Sequence, residues 1–339
     1  MKAAVYYRND DVRIEELPKP KPGPGEFVFK VKASGICGSD VMEWYRIKKA
    51  PRVLGHEAAG EIIEVGPGCP YKVGQRVFVS HHVPCLECDY CRSGRETACE
   101  TLHTTNFDPG GFAEFVRVPK INIDKKGVYV LPETISYEEG TIIEPLACVV
   151  RSQRIAKVKK GDTVLIIGSG IAGLLHVKLA KSKGARVIAT DLNYWRLRKA
   201  KEFGADGTIN AMSYTIEELK KLNNGRLADK VILCTGAVPA VKQALESVDR
   251  GGVVLFFAVP KPGVPVEIPV NDFWRNEVAV LTSYGAAPKD LKEALDLIKT
   301  KKIKVTDMIT HTLPLEKAQE GFRLVAEAKE SIKVILKPE

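Results

Sequence analysis

Residues 163–173 read TVLIIGSGIAG, and this stretch decides the fold of the second half of the chain. An apolar strand pattern ends at Gly168, and a helical pattern begins at Ile171. Glycines in such a turn let the backbone approach a phosphate group at the N-terminus of the helix, where unpaired N–H groups favour anions. The stretch therefore predicts a phosphate-binding turn whose candidate contact residues are Gly168, Gly170, Ile171, Ala172 and Gly173.

A second strand pattern, residues 186–190, follows this turn and ends just before Asp191. A carboxylate at that place can accept hydrogen bonds from the ribose hydroxyls of a bound dinucleotide and repel a 2′-phosphate. The order of strand, glycine turn, helix, strand and aspartate therefore predicts NAD, and disfavours a tight turn with an unrelated aspartate. Arg196 keeps NADP open as an alternative, because a guanidinium nearby can hold a 2′-phosphate.

Strands and helices continue to alternate on both sides of the glycine turn, from about residue 151 to residue 287. This alternation predicts a doubly wound parallel sheet. The first 150 residues differ, because they contain short strand patterns broken by Gly and Pro, which indicate a small β-barrel or sandwich. The fold class is therefore α/β with two domains, and the pattern alone leaves open which domain the residues after 288 join.

Composition excludes several classes of protein. The chain has 339 residues with 51 basic and 42 acidic side chains, a net charge of +9. Its lysines are dispersed and lack interleaved aromatic residues, which disfavours nucleic acid as a partner. No apolar run approaches the roughly 18 residues of a membrane span, and the first residues lack a secretory signal. We therefore expect a cytoplasmic protein that acts on a small molecule and not on a membrane.

Four of the eight cysteines lie within 15 residues, in the pattern C-x2-C-x2-C-x7-C. In a chain without an export signal, such clustering favours a metal over disulfide bonds. Four thiolates at this spacing can close a tetrahedral zinc site and leave no position for water or substrate. A set of free buried cysteines is the alternative, and the polar, turn-rich surroundings disfavour it. The segment predicts a structural zinc bound by Cys85, Cys88, Cys91 and Cys99.

Other potential metal ligands are dispersed along the first domain, at Cys37, His56, Glu57 and Glu144. Taken one at a time, each is ambiguous. A lone cysteine after a strand is usually a small core residue, a lone histidine is usually a hydrogen-bonded polar residue, and a glutamate can stabilise a helix N-terminus. Spacing alone does not decide whether these residues share a site.

Several of these motifs occur together in one order, and in that order the sequence resembles the zinc-dependent medium-chain dehydrogenases of the sorbitol and threonine dehydrogenase type. The resemblance spans nearly the whole chain and rests on residues 35–40, 55–57, 85–99, 110–114, 144–146 and the glycine turn with Asp191. It implies a GroES-like β-barrel catalytic domain over residues 1–150, completed by 288–339, and a Rossmann NAD-binding domain over 151–287. It also implies an active site between the domains and a homotetramer.

The resemblance implies a catalytic zinc in addition to the structural one. Cys37, His56 and Glu144 match the protein ligands of that zinc. Glu57 matches a family glutamate that either binds the metal directly or lies behind a ligand, and Asp40 matches a residue that orients the histidine ligand. Glutamate at position 144, where the simple alcohol dehydrogenases of the family carry cysteine, favours the polyol and threonine branch.

A proton relay is also implied, and it departs from the family pattern. Ser39 matches the hydroxyl that accepts the proton of the substrate alcohol, but Met42 occupies the position of a family histidine that continues the relay. The alternative routes for proton release are the cofactor ribose, water, and His81 or His82. His82 matches a substrate-pocket histidine of the threonine dehydrogenases, with an exposed loop residue as the alternative. Arg46 is either part of a solvated surface or a contact for an acidic or phosphorylated polyol.

The function implied is the NAD-dependent oxidation of a secondary alcohol of a polyol, sugar or cyclitol to a ketone, with two zinc ions. L-Threonine 3-dehydrogenase is the alternative within the same enzyme class. A non-catalytic zinc- and nucleotide-binding protein is the alternative from another class. The joint presence of Ser39, Cys37, His56 and Glu144 disfavours that last reading, because binding alone does not require them.

Overall fold

The structure is a computed structural model that describes residues 1–338. The chain divides into two compact units, of which unit 1 comprises residues 1–147 with 286–339 and unit 2 comprises residues 148–285. These divisions lie beside the predicted ones at 150/151 and 287/288. Each unit has its own hydrophobic core.

Unit 1 is built mainly from short strands. They are β1 Lys2–Arg8, β2 Asp11–Glu16, β3 Phe27–Ile36, β4 Arg52–Val53, β5 Glu57–Val65, β6 Arg76–Ser80, β7 Phe115–Val118, β8 Val128–Val130, β15 Ile309–Pro314 and β16 Lys333–Lys337. Its helices are α1 Glu43–Arg46, α2 Asp89–Arg92, α3 Glu100–Thr104, α4 Lys120–Asp124, α5 Tyr137–Gly140, α12 Pro288–Lys299 and α13 Ala318–Glu327.

The longest strand of unit 1, β3, organises the site. It pairs with β5, β7 and β16 in a seven-stranded sheet of order β15-β16-β3-β5-β6-β8, with β7 beside β3, while β2-β1-β4 form a separate sheet. Alternating apolar residues of β3 are fully buried, among them Phe27, Phe29 and Val31. The C-terminal strand β16 runs antiparallel to the end of β3, with Val334 opposite Ile36. The end of the chain thereby lies beside the residues that follow β3.

Unit 2 alternates strands and helices. The strands are β9 Thr163–Ile167, β10 Arg186–Asp191, β11 Gly207–Asn210, β12 Ala228–Leu233, β13 Val248–Phe256 and β14 Ala279–Thr282. The helices are α7 Ile171–Ser182, α8 Tyr194–Glu202, α9 Ile216–Leu222, α10 Val238–Glu246 and α11 Val270–Arg275.

The sheet of unit 2 is parallel throughout and has the order β11-β10-β9-β12-β13-β14. In strand numbers of the unit this is 3-2-1-4-5-6, the order of a doubly wound dinucleotide-binding sheet. All five residues of the central strand β9 are buried, as expected for a strand covered on both faces. The predicted α/β fold class is confirmed.

Helix α6, Ile143–Ile155, runs across the division between the units. Its first turn contains Glu144 and Pro145. Proline is favoured in the first turn of a helix, because the N–H groups there have no helical partner, and a glutamate there suits the helix dipole. The glutamate is therefore held at a helix start that belongs to unit 1.

Within residues 1–338, no helix has both the length and the apolar character needed to cross a membrane.

Candidate metal centres and dinucleotide turn

The four cysteines of the lobe converge on one point. Their sulfur atoms all lie within 4.8 Å of one another, and the lobe spans residues 85–99. The Sγ of Cys91 is 3.9 Å from that of Cys85 and 3.6 Å from that of Cys88. Four sulfurs at zinc–sulfur distances of about 2.3 Å in a tetrahedron are roughly 3.8 Å apart. The lobe therefore fits a zinc ion with four thiolate ligands.

Backbone N–H groups support two of these sulfurs, those of Cys85 and Cys99, as thiolates. The amides of Glu87 and Cys88 donate to the Cys85 sulfur at 3.4 and 3.3 Å, and the amide of Cys85 donates to the Cys99 sulfur at 3.3 Å. Burial acts to raise the pKa of the Cys99 thiol, but the amides of Cys85 and Leu102 outweigh it and lower that pKa to about 6. Donors to sulfur stabilise the charged form that a metal requires.

The dispersed ligands form a second group. One ligand atom from each of Cys37, His56 and Glu57 lies within 4.8 Å of the other two. Cys37 follows β3 and caps the short turn Gly38–Val41, with its sulfur accepting from the amide of Ser39 at 3.4 Å. This capping arrangement fixes the thiol at the end of the sheet, beside the start of β5.

Asp40 holds both the turn and the histidine. Its Oδ2 accepts from the amide of Cys37 at 3.1 Å, and its Oδ1 lies 3.4 Å from Nδ1 of His56. With Nδ1 facing a carboxylate, Nε2 of His56 is the nitrogen left for a metal, the usual arrangement of a histidine ligand. Asp40 is fully buried, which suits a residue that orients the ligand from behind.

The charges around His56 favour its protonated form. Burial acts to lower the pKa of His56, but the Asp40 carboxylate and the Cys37 sulfur outweigh it and hold the pKa well above the usual value. Burial likewise acts to raise the pKa of Asp40, and His56 and Arg46 outweigh it, so that the pKa of Asp40 is lowered. A metal ion that binds His56 must therefore displace a proton.

Glu57 points one oxygen at a buried lysine and leaves the other unsatisfied. Its Oε2 pairs with Nζ of Lys333, and both side chains are fully buried. Its Oε1 is buried and has no hydrogen-bond partner among residues 1–338. A Cβ at Gly35 would overlap Oε2, so the glycine of the Gly35-Ile36-Cys37 segment makes room for this pair. Zinc is bound in proteins by sulfur, nitrogen and carboxylate oxygen. The free oxygen of Glu57, with the Cys37 sulfur and the His56 nitrogen beside it, therefore fits zinc.

Glu144 and His82 lie outside this close cluster. Glu144 does not bring a ligand atom within the 4.8 Å that unites the other three. Its charge nevertheless contributes, with Glu57 and Cys37, to raising the pKa of Lys333 against the opposing effect of burial. His82 is half-buried, and its ring stacks 3.7 Å from that of His81, which lies 4.9 Å from the His56 ring. Burial lowers the pKa of His82 to about 3, so it is neutral.

The glycine turn of unit 2 has the geometry that a dinucleotide requires. Gly168 has φ +93°, which favours glycine, and a Cβ at Gly173 would overlap the carbonyl oxygen of Gly168. The first helical bond of α7 runs from the amide of Leu174 to the carbonyl of Gly170 at 2.9 Å. The amides of residues 171–173 precede it and have no helical partner, so they fit a pyrophosphate.

Asp191 ends β10 beside this turn. Its Oδ2 accepts from the amide of Ser169 at 2.7 Å, and its Oδ1 accepts from the amide of Asn193 at 2.8 Å. Each carboxylate oxygen has a further acceptor position, so the group fits two ribose hydroxyls. The guanidinium of Arg196 reaches the same turn, with a terminal nitrogen 3.6 Å from where a Cβ of Gly170 would lie.

Comparison with known proteins agrees with this geometry. Residues 23–127 match the family model of the alcohol dehydrogenase GroES-like domain, and residues 172–300 match that of the zinc-binding dehydrogenases. The chain is 34% identical to a sorbitol dehydrogenase of Gallus gallus, with 99% of this chain and 96% of the relative covered. The chain belongs to the zinc-dependent medium-chain dehydrogenase family, of the sorbitol dehydrogenase type.

Solved structures of zinc-dependent dehydrogenases and related enzymes have the same fold. A zinc-binding dehydrogenase from Sinorhizobium meliloti 1021, bound to NADP, is 30% identical with a TM-score of 0.88 and covers 99% of both chains. An alcohol dehydrogenase from Escherichia coli CFT073, complexed with NADH, is 29% identical with a TM-score of 0.88 and also covers 99% of both chains. The predicted family, fold class and enzyme class are confirmed.

Sequence reasoning missed Lys333. Nothing in the sequence of this medium-chain dehydrogenase identifies the partner of that lysine. The residue lies 276 positions from Glu57, in an apolar strand pattern near the C-terminus. Its signal was a lysine at a position of β16 whose neighbours on both sides are buried. Such a lysine requires a buried counter-charge, but the sequence does not say which acid supplies it.

Sequence reasoning also missed the neutral histidine of unit 2. His176, on α7, is fully buried, with Nε2 3.4 Å from Ser152 Oγ and Nδ1 3.3 Å from Gln153 Nε2. Its ring packs against Phe257 at 5.0 Å. Burial lowers the pKa of His176 to about 3. The histidine is therefore a polar core residue of this dehydrogenase rather than a ligand.

Proposed function

We propose that the protein oxidises a secondary alcohol of a polyol, sugar or cyclitol to a ketone, with NAD as hydride acceptor. The observation that carries the proposal is the partly buried donor cluster of Cys37, His56 and Glu57, in which Cys37 caps the short turn that contains Ser39. The similarity to a sorbitol dehydrogenase supports a polyol as the substrate class. The overall reaction converts the alcohol and NAD⁺ into ketone, NADH and one proton.

Cys37 and His56 would hold the catalytic zinc, together with a carboxylate. Glu57 offers a buried oxygen without a partner among residues 1–338, and Glu144, from the helix start, is the ligand that the family resemblance implies. Three protein ligands leave one position open for the substrate, as catalytic zinc sites require. When bound, zinc supplies Lewis acidity and NAD supplies a hydride acceptor.

Ser39 would accept the proton of the substrate alcohol. Its amide donates to the Cys37 sulfur, so Ser39 lies in the turn that the metal ligand caps. A serine hydroxyl can accept one proton while it donates its own to water, and this passes a proton on without leaving a charge on the residue. Asp40 takes no proton in this scheme and keeps His56 in one orientation.

NAD would be bound in preference to NADP. Asp191 presents its carboxylate where the adenosine ribose lies in such sheets, and a 2′-phosphate would meet that charge. A terminal nitrogen of Arg196 lies near Gly170, and the guanidinium interacts electrostatically with the Asp191 carboxylate. The balance of these two residues sets the preference, so an Asp191→Ala variant should bind NADP more tightly.

The four-cysteine lobe would hold a second, structural zinc.

The chain would form a homotetramer in the cytoplasm. Unit 2 carries large apolar side chains in solvent, including Trp274 with 78% and Val270 with 69% of their surface exposed. Its terminal strand β14 pairs with β13 and with no other strand of residues 1–338. Exposed apolar side chains beside an open strand edge support an interface between copies of the chain.

The test is NAD reduction by the purified protein against polyols, cyclitols, sugar phosphates and L-threonine, with zinc content determined on the same sample. We expect two zinc ions per chain and turnover of a polyol or cyclitol. Turnover of L-threonine alone would assign the other branch. The proposal would be contradicted if the zinc-loaded protein oxidised no alcohol of the panel and reduced NAD no faster than a His56→Ala variant.

A further inference from the structure

Arg46 contacts the proposed relay serine by more than one hydrogen bond. It is the last residue of α1, and its Nε donates to the carbonyl oxygen of Ser39 at 3.0 Å. Its Nη2 donates to the hydroxyl oxygen of Ser39 at 2.9 Å and to Oδ1 of Asp40 at 3.1 Å. The ring of Tyr45 lies against the guanidinium at 4.8 Å. Only 18% of the Arg46 side chain is exposed, so it is not part of a solvated surface.

These contacts set the direction of the Ser39 hydroxyl. A serine oxygen has one hydrogen and two acceptor positions, whereas a guanidinium has donors only. Arg46 therefore occupies one acceptor position and turns the hydroxyl hydrogen away from itself. The Ser39 hydroxyl keeps one acceptor position, which can take a proton, and one hydrogen, which it can pass on.

Met42 makes this contact important. The thioether of Met42 carries no transferable proton, so it cannot continue a relay from Ser39. Arg46 cannot relay a proton either, because its guanidinium stays charged at all relevant pH values. It can, however, keep the Ser39 hydroxyl in one orientation, so that the proton passes directly to water.

We propose that Arg46 is a positioning residue that fixes the hydroxyl of Ser39 for proton transfer in a chain that lacks the relay histidine. The inference rests on the proposed function for its catalytic part. Its structural part does not depend on that function. The hydrogen bonds from the Arg46 guanidinium to Ser39 and Asp40, here called the fork, hold Ser39 in one rotamer. Loss of the fork costs turnover through Ser39 and not through substrate binding.

The first experiment is a double-mutant cycle on the zinc-loaded enzyme with the alcohol that the panel identifies. Arg46→Ala should lower kcat about 10- to 100-fold, part of what positioned proton transfer contributes, with a smaller change in KM. Arg46→Lys should recover only part of the loss, since an ammonium lacks the planar fork. In a Ser39→Ala background, Arg46→Ala should cost almost nothing further, because the two residues act as a unit.

Arg52→Ala is the matched control, because Arg52 is another half-buried arginine of the same region that has no hydrogen bond to Ser39 among the described residues. Its kcat should stay close to that of the wild type. An equal loss for Arg46→Ala with and without Ser39, or a loss of zinc from Arg46→Ala, would overturn the proposal.

A crystal structure of wild type and Arg46→Ala separates this inference from the proposed function. We expect one rotamer of Ser39 in the wild type and more than one in the variant. This result does not require turnover, so it tests the fork even if the alcohol panel fails. A single, unchanged Ser39 rotamer in the variant would overturn the inference, whatever the activity.

Discussion

The two metal centres of unit 1 are built in opposite ways. The lobe draws all four sulfurs from residues 85–99, and three of its amides donate to them from the same segment. The dispersed centre draws its ligands from the end of β3 and the start of β5, and its charges are balanced by Lys333 from β16. One site is a local loop, and the other is a product of the tertiary fold.

This difference determines what each site can do. Four thiolates complete a tetrahedron and exclude substrate, so the lobe can only stabilise. The dispersed site has mixed ligands, a carboxylate oxygen without a partner among the described residues, and a hydroxyl in the turn that Cys37 caps, and these features suit catalysis. That arrangement also buries charged side chains, and each of them requires a nearby opposite charge.

The largest expected effect breaks the local site. Cys91→Ser should lose the lobe zinc, so that the chain holds one zinc instead of two. Structural zinc contributes on the order of 10 kcal/mol to small zinc domains, and this energy orders the lobe. Zinc content and amide hydrogen exchange of residues 85–99 measure the effect.

Cys69→Ser is the control, because Cys69 is half-buried and belongs to neither ligand group. It should keep two zinc ions and a protected lobe. Two zinc ions and slow exchange in Cys91→Ser would show that the lobe is not a metal site.

The second effect breaks the dispersed site through its charge balance. Lys333→Met should lower the free energy of unfolding by about 3–5 kcal/mol, because it leaves the Glu57 carboxylate buried without its counter-charge. Adding Glu57→Gln should restore much of that loss, since the uncompensated charge is then removed. Chemical denaturation of the three variants measures both steps.

Lys337→Met on the same strand is the matched control. Lys337 pairs with Glu138, but both side chains are partly exposed, so its loss should cost about 1 kcal/mol or less. A Lys333→Met protein as stable as Lys337→Met would mean that the buried pair does not support the dispersed site.

The smallest expected effect concerns His176, whose pKa shift is opposite to that of His56. Burial acts to lower the pKa of both histidines, yet the charge of Asp40 raises the pKa of His56, whereas burial, together with the charge of Lys183, lowers the pKa of His176 to about 3. Between pH 6.5 and 3 the unfolded chain protonates His176 and the folded chain does not. Stability from this residue is therefore present above pH 6.5 and falls as the pH is lowered.

The wild type should lose about 1 kcal/mol from His176 between pH 7 and pH 5.5. His176→Gln lacks this titration, so its deficit against the wild type should narrow by that amount at pH 5.5. Urea unfolding of both proteins at the two pH values measures the difference. A constant deficit would mean that His176 titrates alike in the folded and unfolded chain.

Local patterns were sufficient for much of this molecule. The apolar strand of residues 163–167 and the glycines after it determine the centre of the parallel sheet, because strand, turn and helix are neighbours in sequence. The cysteine lobe is local in the same sense. Strand ends depend on tertiary partners: β5 begins at Glu57 because that residue pairs with Gly35 of β3 and with Ser80 of β6.

The dispersed site could be predicted only as a set of candidates. Nothing in the residues near Cys37 indicates that a lysine about 300 positions later lies beside it, because β16 meets β3 only in the folded sheet. Arg46 was visible in sequence, but its lysine-rich surroundings favoured a solvated surface over a contact at the site. Its hydrogen bonds to Ser39 depend on how one short turn packs on the next.

Zinc content together with alcohol oxidation in Cys37→Ala tests the central claim most directly. The claim predicts that one zinc remains in the lobe, while turnover falls at least about a thousandfold, since several kcal/mol of Lewis-acid stabilisation are lost. Cys69→Ala should keep two zinc ions and full turnover. Two zinc ions in Cys37→Ala, or turnover near that of the wild type, would contradict the claim that the dispersed cluster is the catalytic centre.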